Sequence, residues 1–133
     1  MAYYFINADG NADPWFERAM AFAGDNPQRD KIGRHSSLFK KLEEQDILFL
    51  YLSGVGYVGV GRVETAWDHT PYGKGEMLFY RNPVTHEYRI SVNWYKDWRR
   101  KPKPWTLAGL HVTPYYYQRI DAADYPIFKK WAR

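Results

Sequence analysis

The sequence predicts an α+β domain: a small, strongly curved β-barrel flanked by about three short helices. Three observations carry this. The β-prone runs cluster in the middle of the chain instead of alternating with helices as a βαβ pattern would. One of those runs holds Gly56, Gly59 and Gly61, and glycine inside a strand marks a bulge, a sharp bend or a close backbone approach. At 133 residues, with no internal repeat or linker, the chain reads as one domain spanning 1–133, because a second core would leave each half marginal.

Each element has its own signal. Ala2 to Asn7 is short, aromatic and β-prone. Asp13-Pro14 reads as an N-cap followed by proline, opening a helix from Pro14 to about Ala23, with Phe16, Met20 and Ala23 on one face. Gly24-Asp25-Asn26-Pro27 then stops it. Ser36 or Ser37 caps a second helix through Leu42. Ile47 to Leu52 is an uninterrupted apolar run, expected to be a strand buried on both faces. Tyr57 to Glu64 is the next strand, and Trp67 to Gly75 is a loop. Met77–Tyr80 and Glu87–Tyr95 read as two further strands. Alternation in the second puts Tyr88, Ile90, Val92 and Trp94 on one face. Thr106 to Leu110 is expected to form one helical turn and Tyr115 to Tyr117 an extended segment. Asp121 caps a final helix through Trp131.

Composition excludes several functions. With no cysteine, the chain has no disulfide framework, no thiol nucleophile and no Cys-ligated metal. Ile47–Leu52, the longest apolar run, is about a third of a membrane span. The N-terminus has no basic region or long apolar core of a secretory signal, so a soluble cytoplasmic domain with no membrane partner is expected. His35, His69, His86 and His111 lack metal-ligand spacing, and no GxSxG motif occurs. Gly54 to Gly59 is formally GxGxxG, but a β run follows where a dinucleotide site needs a helix. No catalytic residue, metal or cofactor is therefore expected.

Two positive signals remain. The net charge of +4 is confined to Lys96–Lys103, which holds five cations and one anion, so the rest of the chain sums to zero. With Trp98 and Trp105 at its margins, that segment suits a phosphate-bearing partner. Trp67, in the polar loop Trp67-Asp68-His69-Thr70-Pro71-Tyr72, needs cover either from the fold or from a ligand.

The order of these features resembles the EVE domains and their YTH-like relatives in the PUA-like superfamily. Ala2–Asn7 looks like the family's opening strand. Gly33 to Ser53 is similar to the EVE segment in which a polar turn leads through a short helix into a "GD.V.FY.S" strand. Val58–Val63 resembles the "GI.GI..V" strand, and Ile90–Leu110 the late strand with its "P.TL.EL" turn. Gln45 stands where the family has glycine, and His35 where asparagine is common.

The resemblance implies a PUA-like barrel that reads a flipped-out, methylated or hydroxymethylated base in DNA or RNA. It implies a role such as the recognition module of a modification-dependent restriction system, with room for a fused or associated nuclease or motor domain. Under it, Tyr4, Trp15, Trp67 and Trp94 are candidate aromatic walls, with Trp67 as a mobile lid. Asn7, Arg34, His35, Ser36 and Ser53 are candidate polar contacts. Lys96, Arg99, Arg100, Lys101 and Lys103 are candidate phosphate contacts. The isolated domain is expected not to be an enzyme. The alternatives are an ASCH-like hydrolase of a modified nucleoside and a barrel that binds a protein or small ligand without nucleic acid.

Overall fold

The computed structural model describes residues 1–28, 36–104, 106, 117–121 and 123–133. The elements, in chain order, are β1 (Tyr3–Asn7), α1 (Asp13–Arg18), β2 (Met20–Asp25), α2 (Ser37–Lys41), β3 (Ile47–Leu52), β4 (Gly56–Val63), β5 (His86–Asp97), β6 (Tyr117–Ile120) and α3 (Pro126–Trp131). The strands form one curled six-stranded sheet in the order β2-β5-β4-β3-β1-β6. β1 pairs with β3 in parallel, and the other neighbours are antiparallel. The α+β class and the curved sheet with three short helices are as the sequence predicts.

The apolar run of β3 is buried on both faces for a visible reason. Leu48 and Leu50 point into the main core with Tyr4, Trp15, Phe39 and Val92. Ile47, Phe49 and Tyr51 point the other way, into a second core closed by Phe128 and Trp131 of α3. Register shifts in the β3–β4 and β4–β5 pairings bend the sheet. Close approach explains two of the β4 glycines. A Cβ at Gly61 would lie 2.4 Å from Val92 and 2.5 Å from Trp94, and one at Gly59 2.5 Å from the Phe16 ring. Gln45 has φ 75, the left-handed backbone that glycine adopts freely.

Three expectations are corrected. The first helix ends at Arg18, where Ala19 takes φ 53 and caps it, and Met20–Asp25 is a strand paired with β5. Phe16, Met20 and Ala23 therefore do not share a helix face. Met77–Tyr80 is not a strand. Its backbone turns to bring the N–H groups of Leu78, Phe79 and Tyr80 onto the buried Glu87 carboxylate at 3.0, 2.8 and 2.9 Å. The last helix starts at Pro126, with Tyr125 at its cap position, not at Asp121. Most of the expected turn at 106–110 and of the strand at 115–117 lies outside the described residues. No helix among the described residues is long and apolar enough to cross a membrane.

Candidate functional site

Beyond the C-terminal end of β4, the chain enters the loop that carries Trp67. The indole turns inward and is only 7% exposed. Its edge contacts are Phe39 of α2, with centroids 6.0 Å apart, and Tyr88 of β5, at 5.5 Å and 88°. His69 lies over it, centroids 4.4 Å apart at 35°. His69 has φ 65, uncommon for a residue with a side chain, and an Asp68 carboxylate accepting from the Thr70 N–H at 2.9 Å supports the turn. That bond holds the Asp68 carboxyl below its ordinary range.

Tyr88 joins the aromatic corner to a buried polar chain. Its hydroxyl donates to Asp25 at 2.6 Å, and Ser36 lies within hydrogen-bonding reach of it. Asp25 and Ser36 are almost wholly enclosed. Desolvation, followed by the bond to Asp25, pushes the Tyr88 phenol well above its usual range, so it stays a donor at neutral pH. The Trp67 Nε1–H is buried and, among the described residues, has no acceptor. A buried donor left unmet costs about 1–3 kcal/mol, so an acceptor supplied from outside would be rewarded there. One corner thus combines two ring faces, a buried carboxylate, two hydroxyls and an unmet indole donor.

The sequence-predicted residues divide among several places. Trp67 and Ser36 meet at this corner through Tyr88. Trp67 packs into the core as part of the wall instead of hanging over it as a lid. Tyr4 lies inside the main core. Trp15 is fully enclosed among Phe22, Phe79 and Trp94. Trp94 is half-buried, and its Nε1 donates to the Met20 carbonyl at 3.0 Å. Asn7 and Ser53 bond to each other at 3.0 Å, at the opposite ends of β1 and β3 from the Trp67 corner. Arg34 and His35 lie outside the described residues.

The basic segment lies at that opposite end, packed on the start of β4. Within it, Arg99 is held by Asp97 at 2.7 Å and Asp13 at 2.9 Å, and stacks on Phe16. Its guanidinium ties α1 to β5 and is not free for a phosphate. Lys96 and Lys103 lie over Trp98, and Arg100 and Lys101 are exposed.

Sequence reasoning missed Asp25, Tyr88 and His69 as site members. The turn signal at Gly24–Pro27 could have ended a strand as well as a helix, and a strand there places Asp25 against β5. Among the described residues no three His, Asp or Glu side chains gather as metal ligands would.

No protein-family model matches the chain, and no curated protein matches it by sequence. Solved structures do match over nearly its whole length. A hypothetical protein from Leishmania major superposes with TM-score 0.59 at 10% identity, covering 98% of this chain and 93% of that one. The Pho92 YTH domain, solved in complex with m6A, gives 0.57 at 15% identity, covering 99% and 84%. A protein from Rhodopseudomonas palustris gives 0.50 at 12%, covering 99% and 93%. At these identities the likeness is one of fold: the chain has a YTH-like fold.

Proposed function

We propose that this domain is a nucleic-acid reader that takes a flipped-out, modified base into the Trp67 corner. The observation that carries the proposal is the close contact of His69 with Trp67, joined through Tyr88 to the buried Asp25 and Ser36. The two rings are 4.4 Å apart and tilted by 35°, and a base entering the corner takes the place of His69 against the indole. Stacking is worth about 1–3 kcal/mol per base, which offsets the few kcal/mol spent on unstacking it from the polymer. A methyl or hydroxymethyl group adds apolar area at about 25 cal/mol per Å². A carboxylate accepts from an exocyclic amino group, and an indole N–H donates to a ring nitrogen or carbonyl. The likeness to a YTH domain solved with m6A supports the same reading.

The domain works by binding, without turnover, and suits the recognition role of a modification-dependent restriction system acting on DNA or RNA. Its test is fluorescence anisotropy with short single-stranded DNA and RNA carrying one methylated or hydroxymethylated base, against unmodified controls. A modified oligonucleotide binds at least tenfold tighter than its control, and Trp67→Ala removes about ten- to a hundredfold of that affinity. Trp67→Phe, which keeps the core filled, separates loss of the indole donor from loss of folding. Equal affinity for modified and unmodified strands would overturn the proposal. Mass spectrometry of modified nucleosides after incubation with the protein distinguishes a reader, which leaves them intact, from a hydrolase.

A further inference from the structure

The basic segment is built into the fold. The backbone of Lys103 bonds in both directions with Tyr57, at 2.8 and 2.9 Å, and the Trp98 N–H bonds the Val58 carbonyl at 2.7 Å. Gly56 permits this approach, since a Cβ there would lie 2.5 Å from the Lys103 carbonyl oxygen. On that framework the Lys96 and Lys103 ammonium groups lie 5.8 and 5.3 Å from the centroid of the same Trp98 ring. Trp98 is braced edge-on by Trp131. Among the described residues neither lysine has a carboxylate partner, because Asp97 and Asp13 are engaged by Arg99. Two ammonium groups gathered at one indole, with no carboxylate partner among the described residues, present positive charge that a backbone phosphate would neutralise.

The position of this cluster matters as much as its charge. Tyr88, at the Trp67 corner, and Trp98 are ten residues apart along β5 and just past its end, a path of about 33 Å at roughly 3.3 Å per residue. At about 3.4 Å per stacked nucleotide, that path matches roughly ten nucleotides of one strand.

We propose that Lys96, Trp98 and Lys103 form a second, remote contact for the phosphate backbone of the polymer whose modified base enters the Trp67 corner. This inference rests on the reader function proposed above, and makes recognition a two-point event. The base fills one end of the barrel, and a phosphate several nucleotides away is clamped at the other. Arg99 takes no part, being structural.

The test compares a trinucleotide and a dodecamer carrying the same modified base, for the wild type and for Lys96→Ala/Lys103→Ala. Lys96→Gln/Lys103→Gln, which keeps the side-chain stems over Trp98, serves as a second variant, and thermal melts establish folding. The trinucleotide binds all three proteins equally. The dodecamer binds the wild type at least tenfold tighter than the variants, and its log–log salt slope falls in magnitude by about 0.7 for the one lost phosphate contact on a single strand. An unchanged dodecamer affinity or slope would overturn the clamp while leaving the reader function standing. Loss of preference for the modified base, with the unmodified dodecamer still sensitive to both lysines, would overturn the reader function and leave the clamp as a polyanion site.

Discussion

Arg99 and Asp97 show why a cation's position in a sequence does not give its role. Both are partly exposed, and the fork of Arg99 reaches two carboxylates on different elements. The hydrogen bonds from Arg99 hold the Asp97 carboxyl below its ordinary value of 3.8. A depressed carboxyl contributes stability that is present above its unfolded value and lost as pH falls through its folded one. Asp97→Asn therefore costs about 0.5–1 kcal/mol at pH 7, within the range of exposed ion pairs. The difference from the wild type disappears as the pH drops below about 3.8. Urea denaturation of both proteins across pH 2.5–7 measures it, and a gap that persisted in acid would show that the pair is not its source.

At the scale of elements, the loop between β4 and β5 is held from within the sheet. Glu87 is fully buried and accepts from three consecutive backbone N–H groups and from Arg89 at 2.7 Å. Arg89 in turn stacks 3.6 Å over Tyr72 and donates to the Glu76 carbonyl. Glu87→Gln replaces one acceptor oxygen with a donor facing the same N–H groups, at a cost of about 3 kcal/mol. The amides of Leu78, Phe79 and Tyr80 are then expected to lose protection in hydrogen exchange ahead of those in β3. Uniform loss across the sheet would mean that the carboxylate supports the whole core and not the loop.

The same loop marks how far the sequence could be read. β3, β4 and β5 were legible because their apolar runs and alternation encode burial directly. Met77–Tyr80 has strand-like composition, but the partner of its N–H groups is a side chain, which periodicity does not reveal. Met20–Ala23 is too short and too rich in alanine to separate helix from strand, so β2 was hidden, and with it Asp25. Trp67 was legible as a costly tryptophan in a polar loop. Its neighbours Phe39 and Tyr88 come from elements far away in the chain, and only the tertiary fold joins them. The charge run was legible as a run, while the capture of Arg99 by Asp13 depends on where α1 packs.

The whole molecule is one sheet serving two cores, so neither core can be lost alone. Phe128 of α3 is fully buried against Phe49 and Tyr57, with ring centroids 4.7 and 5.5 Å away. Phe128→Ala should lower stability by about 3–5 kcal/mol. Intrinsic fluorescence and circular dichroism should still report a single urea transition. Two separated transitions would show that the α3 face unfolds independently of the Trp67 face.

The parallel pairing of β1 with β3 also bears on how the chain reaches this state. Tyr3 lies opposite Ile47 on one side and Ile120 on the other. The strand earliest in this domain is therefore an interior strand of the finished sheet. One of its edges waits for more than forty residues and the other for more than a hundred. Until residues 117–120 emerge, an aromatic edge is open to any other strand that passes, a template for pairing between chains.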